Sequence, residues 1–325
     1  MTQARPILEV NRLKKHFPVT DGLLGQTTKK VYAVDDVTFS IQQGETFALV
    51  GESGCGKSTV GKSILRLFDI TEGEIYLSGD RIDNLPAPRL RSLRRHMQIV
   101  FQDPYSSLNP RMKVRDILAE PLRNFGLARS KAELDRQIKD LLDKVRLPSD
   151  AANRFPHEFS GGQRQRLGIA RALAPGAELI ICDEAVSALD VSVKAQIVNL
   201  LEDLQTRLGL SLLFISHDLA IVEHIAHTIA VMYLGKIVEL APRRALFEAP
   251  HHPYTKALLS AVPIPDPTIR RERIILQGDV PSPTNPPNGC RFNTRCPFAF
   301  DRCRTELPQL RRIGDNHLAA CHLES

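Results

Sequence analysis

Short, wholly apolar runs alternate along this chain with longer amphipathic stretches. Residues 47–50, 98–101, 179–182, 212–215 and 229–233 are apolar at nearly every position, the pattern of strands covered on both faces. Between them, apolar residues recur every three or four positions. Leu134, Ile138, Leu141, Leu142 and Val145 form one such stripe, opened by a Ser130/Glu133 capping pair. Ile197, Leu200, Leu201, Leu204 and Leu208 form another, with Asp190 just before the helix. Strands alternating with helices predict an α/β core around a mainly parallel sheet. The charge-rich stretch of about residues 86–163 reads as a helical subdomain inserted into that core.

The alternation stops near residue 241. Twelve of the 22 prolines fall in residues 241–325, and proline at that density breaks helices and central strands. The sequence therefore divides into a body, 1–240, and a separate loop-rich extension, 241–325. The extension carries Arg270, Arg271, Arg273, Arg302, Arg304, Arg311 and Arg312, and four of the six cysteines: Cys290, Cys296, Cys303 and Cys321. The amino-terminal ten residues lack the apolar core of a secretion signal, so the chain is expected in the cytoplasm with reduced thiols. Four clustered cysteines then point to a metal centre. Their spacings of five, six and seventeen intervening residues lack the close pair of a zinc knuckle. They suit a four-iron four-sulfur cluster, with zinc or plain thiols as the alternatives. Arg291, Arg295, Arg302 and Arg304 would offset the negative charge of such a cluster.

A formal net charge of +6 suits phosphate ligands, nucleic acid or an anionic surface without choosing among them. The absence of tryptophan and a 6% aromatic content argue against a platform for stacking single-stranded bases. No apolar run approaches the roughly 20 residues needed to cross a bilayer.

The strongest chemical signal directly follows the apolar run 47–50. Residues 51–58 read Gly-Glu-Ser-Gly-Cys-Gly-Lys-Ser, a glycine-rich loop whose backbone N–H groups can converge on phosphate oxygens at a helix N-terminus. Gly51, Ser53, Gly54, Cys55 and Gly56 would line the phosphates, with Thr59 just beyond. Lys57 would reach the β- and γ-phosphates and Ser58 would ligate magnesium. A second element is the apolar run 179–182 ending in Asp183 and Glu184. Asp183 would stand at the sheet edge as a magnesium ligand, and Glu184 could deprotonate an attacking water. A third is Ser160-Gly161-Gly162-Gln163, an anion-binding helix start that a symmetric dimer could offer to its neighbour's nucleotide.

These elements, together with Ser187-Ala-Leu-Asp190 and Ile215-Ser-His217, occur in an order that resembles the ATP-binding subunits of ABC transporters, over roughly residues 7–240. The resemblance implies a P-loop NTPase core of ABC type that binds ATP and Mg2+. It further implies that Phe17, or more weakly Tyr32, stacks on adenine and that Gln102 senses magnesium and the membrane subunit. Ser160, Gly161, Gly162, Gln163 and Asp190 would meet the nucleotide of the opposite subunit, and His217 would contact the γ-phosphate and hold the attacking water.

Residues 101–111, the segment His252-Pro-Tyr-Thr-Lys-Ala-Leu-Leu259 and the terminal cysteines resemble the oligopeptide/dipeptide importer branch, in which members with this cysteine pattern are similar to cluster-bearing proteins. The run 186–193 looks like the second ATPase of a dipeptide importer. Implied partners are a sister ATPase, two permease subunits and an extracytoplasmic substrate-binding protein, at the cytoplasmic face of the membrane and without nucleic acid. Related importers of nickel or glutathione share these segments and stay open as alternatives. A soluble ABC ATPase acting on ribosomes or DNA is a further one, although such chains carry two cassettes or a long coiled coil, and this one shows neither.

Overall fold

The computed structural model describes residues 5–21, 26–262 and 273–323; residues 1–4 of the amino-terminal segment, Arg270 and Arg271 lie outside them. The long strands β1 (Leu8–Asp21) and β2 (Gln26–Ile41) come first, then β3 (Thr46–Val50) and helix α1 (Lys57–Ile64). β4 (Glu72–Leu77), β5 (Asp80–Arg81), α2 (Ala87–Leu93) and β6 (Met97–Val100) follow. Helices α3 (Pro104–Ser107), α4 (Val114–Asn124), α5 (Lys131–Lys144) and α6 (Gly161–Leu173) lead to β7 (Leu179–Asp183). Next come α7 (Val191–Leu208), β8 (Ser211–Ser216), α8 (Leu219–Ile225), β9 (Thr228–Tyr233) and β10 (Lys236–Pro242). α9 (Arg243–Glu248), α10 (Pro253–Ser260), α11 (Asp301–Thr305), β11 (Arg311–Gly314) and β12 (His317–Ala319) complete the order.

The five apolar runs all become strands of one sheet, ordered β11-β12-β10-β9-β3-β8-β7-β6. Within it β9, β3, β8, β7 and β6 run parallel to one another, and β10 joins β9 antiparallel. Because side chains alternate along a strand, each run feeds two cores at once. Phe47, Leu49, Ile181, Leu213 and Ile215 face α1 and the amino-terminal sheet. Ala48, Val50, Ile180, Cys182, Leu212 and Phe214 face the helices of the other side. Residues buried on both faces leave no polar alternation, which is why these strands were readable from sequence.

The second sheet, β2-β1-β4-β5, is antiparallel and was not foreseen. Its longest pairing, β1 with β2, shifts register at four places, three of them between Val10 and His16. Each bulge resets the two-residue period, so the apolar positions no longer alternate cleanly. The helical reading of α5 holds with one refinement. Ser130 Oγ accepts from the Glu133 N–H at 3.1 Å, but the Glu133 carboxylate reaches back to the Arg129 N–H at 2.8 Å rather than to Ser130. Within the helical stretch 86–163, residues 97–100 form β6, the edge strand of the main sheet beside β7.

The carboxy-terminal extension differs from the separate, loop-rich tail expected of it. Residues 241–262 hold α9 and α10, and β12 pairs antiparallel with β10. Cys290, Phe292 and Cys303 belong to the same apolar core as the sheet. Phe292 is fully buried against Tyr233 of β9 and Tyr254 of α10, with ring centroids 5.2 and 5.4 Å apart. Buried Glu239 on β10 ties the region together, accepting from the His251 and His252 N–H groups at 2.7 and 2.9 Å with His317 Nε2 also 2.7 Å away. Proline density signalled the loops correctly, but not that aromatic anchors between them join the main core.

Three of the four arginines expected to offset a cluster, Arg291, Arg295 and Arg302, are engaged elsewhere. Arg291 pairs with Asp35 at 2.7 Å, Arg295 with Glu52 at 2.8 Å and Arg302 with Glu306 at 2.8 Å. Carboxylates within hydrogen-bond reach outcompete more distant partners.

Truncating a fully buried aromatic removes both its transfer energy and its packing partners. Phe292→Ala is therefore expected to lower the unfolding free energy by about 3–5 kcal/mol, read as a fall in the midpoint of a denaturant titration. A midpoint like the parent's would mean that the extension contributes nothing to the core.

Candidate nucleotide site

The parallel strands end level with one another. Val50 lies opposite Ser216, Asp183 opposite Ile215, and Val100 opposite Cys182. The residues that follow each strand therefore gather at the carboxyl edge of the sheet, the place where α/β folds bind ligands. Gly51 follows β3, Gln102 lies two residues past β6, Glu184 follows β7 and His217 follows β8.

The loop 51–58 turns where no side chain fits. Gly51 has φ +150° and Gly56 φ +108°. A Cβ on Gly51 would stand 2.2 Å from the Met232 carbonyl oxygen, and one on Gly56 would stand 2.0 Å from that of Ala33. Both sterics and dihedral demand glycine. Gly56 is the N-cap of α1, so the loop delivers its N–H groups to a helix start. Lys57 is buried and folds back across the loop, donating to the carbonyls of Gly51 at 2.8 Å and Glu52 at 3.0 Å. Ser53 and Gly54 are exposed at the tip, Cys55 is buried beneath it, and Thr59 is half-buried on α1.

Two pairs of functional groups meet beside the loop. Ser58 Oγ donates to Asp183 Oδ1 at 2.6 Å. Burial pushes the Asp183 carboxyl above its ordinary value, Glu184 adds to that, and the Ser58 bond with Lys62 and Lys57 counters it in part. The second group is centred on Glu184. Gln102 Nε2 donates to Glu184 Oε2 at 2.9 Å, and His217 Nδ1 lies 3.5 Å from Glu184 Oε1. Glu184 itself has φ +50°, a left-handed conformation that costs a side-chain-bearing residue on the order of 1 kcal/mol or more. Its N–H donates to the Ile215 carbonyl at 3.0 Å and its carbonyl accepts from the Ser187 N–H and hydroxyl, which hold it there.

The remaining sequence candidates stand apart from this group. Ser160 caps α6 in a reciprocal box with Gln163, at 3.3 and 3.0 Å. Gly162 packs so tightly on α7 that a Cβ would meet Val193 at 2.4 Å, and Gly161 faces Leu189, next to exposed Asp190. Among the described residues no hydrogen bond or ion pair joins residues 160–163 or Asp190 to the phosphate loop. Phe17 sits half-buried on β1, edge-on to Phe68 at 5.4 Å with Lys15 Nζ 4.7 Å from its ring. Tyr32 packs on His16, and its N–H donates to the Pro283 carbonyl.

The four terminal cysteines are free thiols; Cys290, Cys303 and Cys321 are buried and Cys296 is half-buried. Burial, with smaller contributions from neighbouring Cys303, Cys321 and Cys296, pushes the Cys290 thiol up to about 11. Among the described residues no three His, Cys, Asp or Glu side chains are grouped to hold a single metal ion. No described helix is long and apolar enough to cross a membrane.

A glycine loop cradling a helix start, an Asp–Ser pair and a Glu between Gln and His thus gather at the carboxyl edge of the sheet. Comparison with known proteins identifies the class. The family described as ABC transporter matches residues 34–187, and the oligopeptide/dipeptide transporter C-terminal region matches residues 238–303. The chain is 55% identical to the probable peptide ABC transporter ATP-binding protein y4tS of Sinorhizobium fredii, over 98% of this chain and 90% of that one. It is 50% identical to the oligopeptide transport ATP-binding protein AppF of Bacillus subtilis, over 98% of each. The fold superposes on the dimeric post-hydrolysis structure of the ATP-binding cassette MJ0796 with a TM-score of 0.65 and 28% identity, covering 73% of this chain and 99% of that one. The chain belongs to the ABC transporter ATP-binding subunits, in the branch that carries the oligopeptide/dipeptide C-terminal region. It is an ABC ATPase.

Sequence reasoning missed Glu52, Tyr254 and Arg295 at this site. Glu52 is held by Arg295 and by Tyr254 Oη, and no local signal could pair positions so far apart.

Because the folded-state pKa of Asp183 is raised, ionisation there opposes folding. The stability it contributes is full below its ordinary value of 3.8 and is lost as pH rises through the folded value. Asp183→Asn keeps an acceptor for Ser58 and is expected to raise Tm at neutral pH. The gain should shrink as the pH is lowered toward 4, which thermal melts across that range would check.

Proposed function

We propose that this chain is one of two ATPase subunits that energise a membrane importer of dipeptides or oligopeptides. Its partners in this reading are a sister ATPase, two permease subunits that hold it at the cytoplasmic face of the membrane, and an extracytoplasmic substrate-binding protein. Residues 1–240 form the ATPase domain, with its helical part at about 86–163, and residues 241–325 form the extension. The observation that carries the reading is the meeting of Gln102, Glu184 and His217 beside the Ser58–Asp183 pair, on a chain that also matches the oligopeptide/dipeptide region.

The chemistry assigned to each residue follows from its place. Loop N–H groups from Gly51 to Ser58 hold the phosphates, Lys57 swings from the loop carbonyls to the β- and γ-phosphates, and Phe17 stacks on adenine. Ser58 and Asp183 are hard oxygen donors already joined at 2.6 Å and would hold Mg2+ together with Gln102, the ion supplying charge neutralisation for the phosphates. Water attacks the γ-phosphorus, the bond to the bridging β–γ oxygen breaks, and ADP and phosphate result. Glu184 Oε2 is occupied by Gln102, which leaves Oε1, beside His217, to take the water's proton. Residues 160–163 present a capped helix start that suits the γ-phosphate held by the sister subunit. That division of labour matches their separation from the loop of their own chain.

Glu184→Gln is expected to keep ATP affinity and cut turnover by about a hundredfold or more, whereas Lys57→Ala weakens ATP binding itself. Equilibrium binding and steady-state hydrolysis on the purified chain separate the two. Near-parent turnover by Glu184→Gln would remove Glu184 as the base.

The four thiols form the second element of the proposal. A four-iron four-sulfur cluster is larger than a single ion, so its ligands stand further apart than those of a zinc site. Four free, mutually neighbouring thiols in a loop-rich segment support that ligand set, and a cluster there would order the loops around it. Anaerobic purification with iron and sulfide analysis should give a brown protein that Cys296→Ser bleaches without loss of ATP binding. Stoichiometric zinc, or no metal, would sink this reading.

A further inference from the structure

The carboxy-terminal region touches the phosphate loop itself. Arg295 meets Glu52 in a two-point ion pair, Nη1 to Oε2 at 2.8 Å and Nη2 to Oε1 at 3.3 Å. The Arg295 side chain is 9% exposed and that of Glu52 29%. Glu52 is the second residue of the loop, and its other polar groups are also held. Its N–H donates to Tyr254 Oη at 2.8 Å, and its carbonyl accepts from Lys57 Nζ at 3.0 Å. Tyr254 and Arg295 both lie within the carboxy-terminal region.

Arg295 is aimed by the core. Its N–H donates to the Phe292 carbonyl at 3.0 Å, and Phe292 is locked between Tyr233 and Tyr254. The guanidinium therefore approaches Glu52 from a rigid base, and its planar fork matches the carboxylate at two points, which an ammonium cannot do.

A carboxylate on a loop that binds a polyphosphate is a liability, because it repels the ligand the loop's N–H groups attract. We propose that Arg295 is a positioning residue of the ATP site, cancelling the charge of Glu52 and fixing the first turn of the phosphate loop. The carboxy-terminal region thereby sets ATP affinity through a contact on the phosphate loop rather than on the nucleotide. This rests on the ATPase reading above. Because Arg295 neighbours Cys296, whatever orders the cysteine segment also orders this contact.

The test is a double-mutant cycle on the full chain, read as MgATP affinity and as the split between KM and kcat. Arg295→Ala leaves Glu52 uncompensated and is expected to raise Kd and KM about tenfold, with kcat little changed. The loss should shrink at high salt, which screens the exposed carboxylate. Adding Glu52→Gln to Arg295→Ala removes the repelling charge and should restore most of the affinity. Arg295→Lys keeps the charge and most of the packing, and should bind ATP between the parent and Arg295→Ala. A purely structural role would lower Tm without rescue by Glu52→Gln, so a double variant as weak as Arg295→Ala overturns the proposal. Failure of the parent chain to bind ATP would instead overturn the ATPase reading, and this inference with it.

Discussion

The phosphate loop is built on contacts that leave no space for a Cβ. Gly51 lies against the Met232 carbonyl on β9 and Gly56 against the Ala33 carbonyl on β2. The loop is thus clamped between the last parallel strand of the main sheet and a long strand of the amino-terminal sheet. Much of the remaining architecture serves that clamp. β3 delivers the loop, α1 receives it between the two sheets, and β9 holds Met232 in place through its parallel pairing with β3. Preorganised N–H groups cost no reorganisation when a charged ligand arrives, and close backbone packing keeps them preorganised.

Around that loop, the chain carries carboxylates where burial and backbone geometry both oppose them. Asp183 is buried with its carboxyl raised, and Glu184 occupies a left-handed backbone position. Neither feature helps the fold. Each is held by neighbours: Asp183 by Ser58, Glu184 by Gln102, Ile215 and Ser187. Strain and unfavourable charge gathered at one strand edge, and supported from several sides, are the signature of a site shaped by chemistry rather than by stability.

The carboxy-terminal region belongs to this arrangement. It pairs with the main sheet through β12, contributes Phe292 to the core and places Tyr254 and Arg295 on Glu52. A second arginine, Arg291, binds Asp35 at 2.7 Å together with Lys236 at 3.3 Å, two positions from Ala33. Both flanks of the phosphate loop are therefore braced by residues that follow position 241 or sit just before it.

The sequence by itself determined the parallel core and the chemistry at its edge. Strands buried on both faces must be apolar throughout, and a phosphate loop needs glycine and lysine at set spacing, so both leave local signatures. The glycine-rich segment 51–58 and the apolar run that ends in Asp183 and Glu184 were legible for that reason. The register that brings Gln102 to 2.9 Å and His217 to 3.5 Å from the Glu184 carboxylate was decided only by the sheet, because strand order is not written in any single strand. The bulged amino-terminal sheet hid its period. The bracing of Glu52 by Arg295 was equally invisible: a pair 243 positions apart leaves no pattern along the chain. It exists because Phe292, Tyr233 and Tyr254 pack into one core and bring the extension up against the loop.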